Sequence, residues 1–144
     1  MRVLEPFFRE AGTGPSVVCT HANASNSGQW RELADLLAPK FRVFAPDSYD
    51  SGKSPQWPSD RVILLRDEVA LIEPVIRRAG PRLALVGHSY GATVALIAAL
   101  AHPRRVRAMR LQVPLLEDEA HSRAVPLLGC IDTLYARSNL AARI

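Results

Sequence analysis

The feature of this sequence that most clearly suggests a chemical reaction is a serine with a glycine two residues away on each side. The run is Gly87, His88, Ser89, Tyr90 and Gly91. A serine hydroxyl attacks a carbonyl carbon when a histidine takes its proton and an acid orients that histidine, while N–H groups stabilise the charge that develops on the substrate oxygen. The pattern therefore suggests acyl-transfer chemistry, provided that its flanks expose the serine.

The residues on either side of this run predict the required geometry. Apolar residues 83–86 predict a buried strand, and the Ala- and Leu-rich run 92–101 predicts a helix. Ser89 would then lie at a sharp turn on the carboxyl edge of a sheet and at a helix N-terminus, whose field favours negative charge. Glycine on both sides avoids Cβ atoms where the backbones approach closely. The alternative is that Ser89 only caps a buried helix.

A polar loop earlier in the chain offers a second group for the same site. The strand predicted at residues 16–20 leads into this loop at His21. We expect the backbone N–H of Asn23 to form an oxyanion hole together with the N–H of Tyr90, because such a hole takes its second donor from a loop at that edge of the sheet. The alternative is that the loop is an ordinary turn into the next helix, with Ser27 as its cap.

Strands and helices alternate along the rest of the chain. Further strands are predicted at residues 42–45 and 106–113, and an antiparallel edge strand or hairpin is predicted near the N-terminus. Helices are predicted at 29–37 and at 60–79, the second capped by Asp60 and bent or interrupted at Pro74. Alternation of this kind requires crossover connections and thus a mainly parallel sheet with helices on both faces. The predicted fold class is therefore α/β.

Composition limits the classes of function. The chain has 144 residues, 48% of them hydrophobic and 22% charged, which is typical of a globular domain. Its longest apolar run falls short of the ~20 residues that cross a bilayer, and the N-terminus lacks the apolar core of a signal peptide, so we expect a cytoplasmic protein without membrane association. Cys19 and Cys130 are expected to be free thiols.

Charge and motif spacing argue against several ligands. The net charge is +4, but the basic residues are spread out and are not interleaved with aromatic residues, so no nucleic-acid partner is expected. The histidines lack metal-ligand spacing, and the turn around Ser89 is not a phosphate-binding loop. We therefore expect no metal and no cofactor.

The order of these motifs resembles the α/β-hydrolase superfamily over about residues 9–114. Members commonly have H-G-x-x-x-S after a strand, a helix with tryptophan, A-P-D followed by G-x-S, and then G-H-S-x-G. The counterparts here are the His21–Asn26 loop, Trp30, Ala45-Pro46-Asp47, Gly52-Lys53-Ser54 and the turn around Ser89.

The resemblance implies a three-layer fold and a serine hydrolase of small ester-type or amide-type acyl substrates, with Ser89 as nucleophile. It also implies loop-shaping roles for Asp47 and Ser54 and a packing role for His88. Ala22 stands where the family usually has glycine, and alanine there would add strain if the position needs a positive φ.

The histidine that would act as base is harder to identify. His21 belongs to the predicted oxyanion loop, where a structural hydrogen bond is expected. His102 lies at the far end of the helix that follows Ser89, roughly 20 Å away at ~1.5 Å per residue. His121, with Glu117 as a candidate acid, remains as the acid/base pair. The alternative is that these two residues belong to a solvated helix face.

The predicted organisation is residues 1–114 as the N-terminal part of an α/β-hydrolase domain and 115–144 as an irregular or helical tail. Whole domains of this kind run well past ~200 residues, so we expect the N-terminal half only, with an exposed sheet edge that favours self-association. The alternative function is a catalytically silent binding protein that keeps the fold without the acid and histidine. An acyltransferase or a cofactor-free peroxidase is a third candidate.

Overall fold

Five strands form a single sheet in the computed structural model, which describes residues 4–112. The strands are Phe8–Ala11 (β1), Ser16–Thr20 (β2), Arg42–Pro46 (β3), Leu83–His88 (β4) and Val106–Gln112 (β5). Their spatial order is β1-β3-β2-β4-β5; β1 is antiparallel to β3, and the other neighbours are parallel. The predicted mainly parallel sheet with an antiparallel N-terminal strand is therefore confirmed.

Three α-helices connect these strands. They are Arg31–Leu37 (α1), Leu65–Ala79 (α2) and Tyr90–Ala101 (α3). Each of them links two parallel strands, as the alternation in the sequence predicted. Within residues 4–112, none of the helices is long and apolar enough to cross a bilayer.

The central strand β2 is buried along its whole length because helices cover both of its faces. Alternate side chains point to opposite faces. Ser16 and Thr20 donate hydrogen bonds to carbonyls of α2 and α3, at 2.6 and 2.7 Å. Val17 and Cys19 pack on the other face with Trp30 and the apolar side of α1. The two helical layers thus enclose a sheet that fixes where each strand ends.

The second helix begins later than predicted. Leu64 is extended (φ −105°, ψ 155°), and α2 starts at Leu65 rather than near Asp60. The N–H of Leu64 donates to the carboxylate of Asp67 at 2.8 Å, so an acid inside the first turn supplies the cap. The helix continues through Pro74 without interruption. The carbonyl freed by this proline belongs to Ala70, which is exposed, so water can accept that hydrogen bond.

The helix predicted at residues 29–37 begins as a 3-10 turn, Ser27–Trp30, before α1. Its cap is Asn26, whose side chain accepts a hydrogen bond from the N–H of Gly28 at 2.8 Å. Ser27 is therefore not the cap. Its hydroxyl accepts a hydrogen bond from the Arg9 guanidinium instead, at 3.1 Å.

Burial keeps Cys19 unreactive. Its side chain is completely buried, and loss of solvation raises the pKa of its thiol to about 12. Cys130 lies outside the described residues. So do the predicted end of the last strand, the tail at 115–144, and the candidate acid and base Glu117 and His121.

Candidate active site

Ser89 occupies the turn that joins β4 directly to α3. Its backbone has φ 54° and ψ −117°, a conformation that residues other than glycine rarely adopt. Holding a serine there costs about 1 to 3 kcal/mol, which the surrounding structure must offset. The N–H of Ser89 donates to the carbonyl of Gln112 in β5 at 2.8 Å. The strained residue is thus fixed to the sheet through its backbone.

The two glycines of the turn lie where backbones meet. A Cβ atom on Gly87 would stand 2.5 Å from the carbonyl oxygen of Gly91 and 2.7 Å from the Cα of Ala92. A Cβ atom on Gly91 would overlap the carbonyl oxygens of Thr20 and His21, at the end of β2. The glycines therefore permit α3 to start against the ends of β2 and β4, as their spacing suggested.

The loop after β2 brings the second predicted donor to the same edge of the sheet. Within residues 4–112, the backbone N–H groups of Asn23 and Tyr90 make no hydrogen bond, so both are free to bind a ligand oxygen. The side chain of Asn23 is used locally and accepts from the N–H of Ala24 at 3.0 Å. The positive φ of this loop, 55°, is at Ala24 and not at Ala22. The strain considered at Ala22 is therefore absent.

Gln29 is a site residue that the sequence did not reveal. Its Oε1 accepts a hydrogen bond from the N–H of Ala22 at 3.0 Å, and its Nε2 lies 2.6 Å from Nδ1 of His88. One side chain thus connects the loop after β2 to the residue before Ser89. Only the folded sheet brings these groups together, because Gln29 and His88 are 59 residues apart.

His21 is fully occupied by structural hydrogen bonds. Its Nε2 accepts from the N–H of Ser48 at 3.0 Å, which leaves Nδ1 as the protonated nitrogen that donates to the carbonyl of Ala22 at 2.7 Å. The ring is buried. His21 therefore joins the loop after β2 to the loop after β3 and has no nitrogen left to act as a base.

The loop after β3 is organised by Asp47. This buried carboxylate accepts hydrogen bonds from the N–H groups of Ser27 and Lys53, at 2.6 and 2.9 Å. Ser54 donates its hydroxyl to the Asp47 carbonyl at 2.7 Å. Asp47 and Ser54 thus have the loop-shaping contacts that the resemblance implied.

The other two histidines of residues 4–112 also have partners. His88 contacts Gln29, as described above, and His102 lies 2.7 Å from the carboxylate of Glu73. His102 follows the last residue of α3, whereas Ser89 precedes its first, so the two are separated by the length of the helix.

A cavity of about 220 Å³ lies beside the turn, and Glu68 is the buried acid in its wall. Asn23 and Tyr90 also line it. The carboxylate of Glu68 accepts hydrogen bonds from the N–H of Tyr49 and the hydroxyl of Tyr90, at 3.1 and 3.3 Å. Burial raises the pKa of Glu68, and burial and the nearby Glu68 charge raise the pKa of Tyr90 to about 12. This contact was not predicted from the sequence.

Replacing Glu68 with glutamine is expected to make stability less dependent on pH. Because folding raises the pKa of Glu68 above its ordinary 4.5, the free energy of unfolding falls as the pH rises through that higher value. An amide avoids the buried charge while its oxygen accepts from Tyr49 and its nitrogen donates to Tyr90. In urea unfolding between about pH 5 and pH 8, the free energy of unfolding of E68Q should increase relative to that of wild type as the pH rises. The exposed control Glu32→Gln should follow wild type, and parallel curves for E68Q would contradict this prediction.

No group of three or more His, Cys, Asp or Glu side chains within residues 4–112 is arranged to hold a metal ion. The polar residues that line the cavity carry hydroxyl, carboxyl, amide and imidazole side chains. Chemically, the described part of the chain offers a hydroxyl on a strained turn, two available N–H donors and a small adjoining cavity.

Comparisons with known proteins identify the family. The family model described as alpha/beta hydrolase fold matches residues 15–135. The chain is 32% identical over 104 residues to an uncharacterized protein of Mycobacterium tuberculosis, covering 69% of this chain and 29% of that protein. It is 33% identical over 100 residues to the pimeloyl-(acyl-carrier protein) methyl ester esterase of Aeromonas hydrophila, covering 68% of this chain and 37% of the esterase.

The chain thus spans about a third of the length of these two curated relatives. Among solved structures, an epoxide hydrolase from Vigna radiata aligns with a TM-score of 0.69 and 27% identity, covering 76% of this chain and 36% of that one. The family match extends over most of the chain and includes the turn at Ser89. The chain therefore belongs to the alpha/beta hydrolase fold family.

Proposed function

We propose that this chain contributes the nucleophile and the oxyanion hole of a serine hydrolase that acts on ester-type or amide-type acyl substrates. The observation that carries the proposal is the backbone of Ser89, held at φ 54° and ψ −117° between β4 and α3. Such strain persists where the surrounding structure holds it in place, and it clusters at active sites. The free N–H groups of Asn23 and Tyr90 support the same assignment.

In the proposed reaction, the Ser89 oxygen attacks the carbonyl carbon of the substrate, and its proton passes to a histidine. The N–H groups of Asn23 and Tyr90 stabilise the oxyanion while the leaving alkoxide or amine takes up that proton. Water then attacks the resulting serine ester, releases the acid and regenerates the hydroxyl. His121, with Glu117 as its acid, is the candidate base, and both residues lie outside the described part of the chain.

The identity of the nucleophile favours acyl substrates over epoxides. A serine oxygen that opens an epoxide forms an ether, which water does not readily cleave, so turnover would stop after one event. A serine oxygen that accepts an acyl group forms an ester, which hydrolyses. The relative named as a methyl ester esterase therefore offers a better guide to the reaction than the structure named as an epoxide hydrolase.

A fluorophosphonate probe with mass spectrometry tests the proposal. We expect one adduct on Ser89 and hydrolysis of short p-nitrophenyl esters, both lost in Ser89→Ala, with ester turnover falling at least about 1000-fold. The matched control Ser59→Ala removes an exposed hydroxyl and should leave both unchanged. An unlabelled Ser89, under conditions that label another serine hydrolase, would refute the proposed activity of this chain.

The second candidate is a catalytically silent binding protein with this fold. It is favoured by the partners of the histidines in residues 4–112: His21 contacts Ala22 and Ser48, His88 contacts Gln29, and His102 contacts Glu73. This hypothesis predicts that neither labelling nor ester turnover occurs and that Ser89→Ala leaves ligand binding unchanged. The same experiment therefore separates the two candidates.

A further inference from the structure

The Gln29 side chain spans the gap between the two loops that carry the proposed oxyanion donors. It lies in the 3-10 turn before α1. One end of its amide contacts Ala22, the residue before Asn23, and the other contacts His88, the residue before Ser89. No other side chain within residues 4–112 hydrogen-bonds to both of these loops.

The orientation of this amide follows from its partners. The N–H of Ala22 can only donate, so the Gln29 atom that faces it must be the oxygen. The amide nitrogen then faces His88 and can only donate, so Nδ1 of His88 must carry a free lone pair. In this contact the proton of the His88 ring is therefore on Nε2. A flipped amide or the other tautomer would bring two donors together.

Apart from Gln29, the contacts that hold this loop lie at its start, where the His21 carbonyl lies against Gly91 and the His21 ring bonds to Ser48. Thr20, the last residue of β2, is tied to α3 by its hydroxyl, but the chain leaves the sheet after it. Asn23 and Ala24 are exposed, and Ala24 has a positive φ. The position of the Asn23 N–H relative to the turn thus depends on contacts made by the loop itself.

We infer that Gln29 is a positioning residue that holds the Asn23 loop at a fixed distance from the Ser89 turn through Ala22 and His88. The inference rests on the proposed function, because it concerns the separation of two N–H groups that must bind one oxygen atom. Such groups must be held within about 0.5 Å of the productive geometry. Gln29 does this from outside the cavity, whose lining residues do not include it.

The contacts of Gln29 with Ala22 and His88 can be tested without measuring enzymatic activity. Nitrogen-15 NMR of wild type near pH 8 should show His88 with Nδ1 unprotonated and Nε2 protonated. In Gln29→Leu, the Ala22 amide should exchange with solvent at least about tenfold faster, because its acceptor is gone. The control Gln56→Leu, at another exposed glutamine, should leave that rate unchanged. An Nδ1–H tautomer of His88 or an unaltered Ala22 exchange rate would overturn the inference.

The effect on the site is measured by the rate at which the fluorophosphonate probe labels Ser89. We expect about a tenfold slower rate in Gln29→Leu and no change in Gln56→Leu. His88→Leu should slow labelling similarly. The double variant should be labelled no more slowly than either single variant, because both substitutions remove the same contact between Gln29 and His88. The positioning role would be overturned if the fold-reductions of the two single variants multiplied in the double variant, or if Gln29→Leu were labelled at the wild-type rate.

The two proposals fail in different ways. If wild type is labelled and Gln29→Leu is labelled equally fast, the proposed function stands and the positioning role is wrong. If wild type is not labelled, the proposed function fails for this chain. The His88 tautomer and the Ala22 exchange rate then decide whether Gln29 holds the two loops together.

Discussion

Replacing Gly91 with alanine is expected to lower the free energy of unfolding by about 3 kcal/mol, although alanine is the better helix former. The added Cβ would overlap the carbonyl oxygens of Thr20 and His21. These are backbone atoms of β2 and its loop, so neither can rotate away as a side chain would. The helix must move off the sheet, and the Thr20 hydrogen bond to the Gly91 carbonyl is lost with it.

Equilibrium urea unfolding of the full chain measures this effect. Gly80→Ala is the matched control, because a Cβ there meets nothing within 4 Å and only the positive φ of 96° opposes alanine. That strain alone costs about 1 to 3 kcal/mol, because φ 96° with ψ −167° is a conformation that is essentially restricted to glycine. If Gly91→Ala proves no more destabilising than Gly80→Ala, the close approach of α3 to β2 is not what requires glycine.

Asp47→Ala is the second large effect, with an expected loss of about 3 kcal/mol in the free energy of unfolding. The carboxylate is buried and accepts hydrogen bonds from the N–H groups of Ser27 and Lys53. Removing it leaves the buried N–H of Ser27 without a partner, and the part-buried N–H of Lys53 loses its acceptor as well. Gly52 lies close to the same carboxylate, because a Cβ atom added to Gly52 would overlap it.

Two further variants serve as comparisons for Asp47→Ala. Asp47→Asn keeps one acceptor oxygen but presents an N–H₂ group to the second donor, so its stability should lie between wild type and Asp47→Ala. Asp60→Ala, at an exposed position, should change stability by less than about 0.5 kcal/mol. Urea unfolding of all three is the test. A large effect at Asp60 would mean that it caps α2 after all, and a small effect at Asp47 would mean that its hydrogen bonds are replaced by water.

The parts of the fold that the sequence predicted are those set by local pattern. The runs around Val18 and Leu85 are apolar because parallel strands are covered on both faces, and both are strands in the structure. The start of α2 was predicted wrongly because Asp60 and Asp67 are both chemically able to cap a helix. The choice of Asp67 depends on the extended backbone at Leu64, which local residue type does not determine.

The candidate site likewise has features that local sequence predicts and features that depend on the assembled sheet. The turn at Ser89 was predictable because its glycines, strand and helix are contiguous in the chain. Gln29 and Glu68 were not, because their partners are brought to them only by the assembled sheet: Gln29 meets His88 from 59 residues away, and Glu68 meets Tyr90 from 22. The identity of the acid and base, for which Glu117 and His121 were predicted, stays a prediction.

The contact of Gly91 with the end of β2 also bears on how much motion the proposed nucleophile retains. Had the turn been anchored by long side chains, each would have had to lose several rotatable bonds to hold the serine still. Here backbone meets backbone on both sides, at Gly87 and at Gly91. Between the backbone of Ser89 and its hydroxyl oxygen there is one side-chain torsion, χ1 of the serine. Under the proposed function, the entropy of positioning the backbone of the nucleophile is thus lost once, when the chain folds, and not again with each substrate.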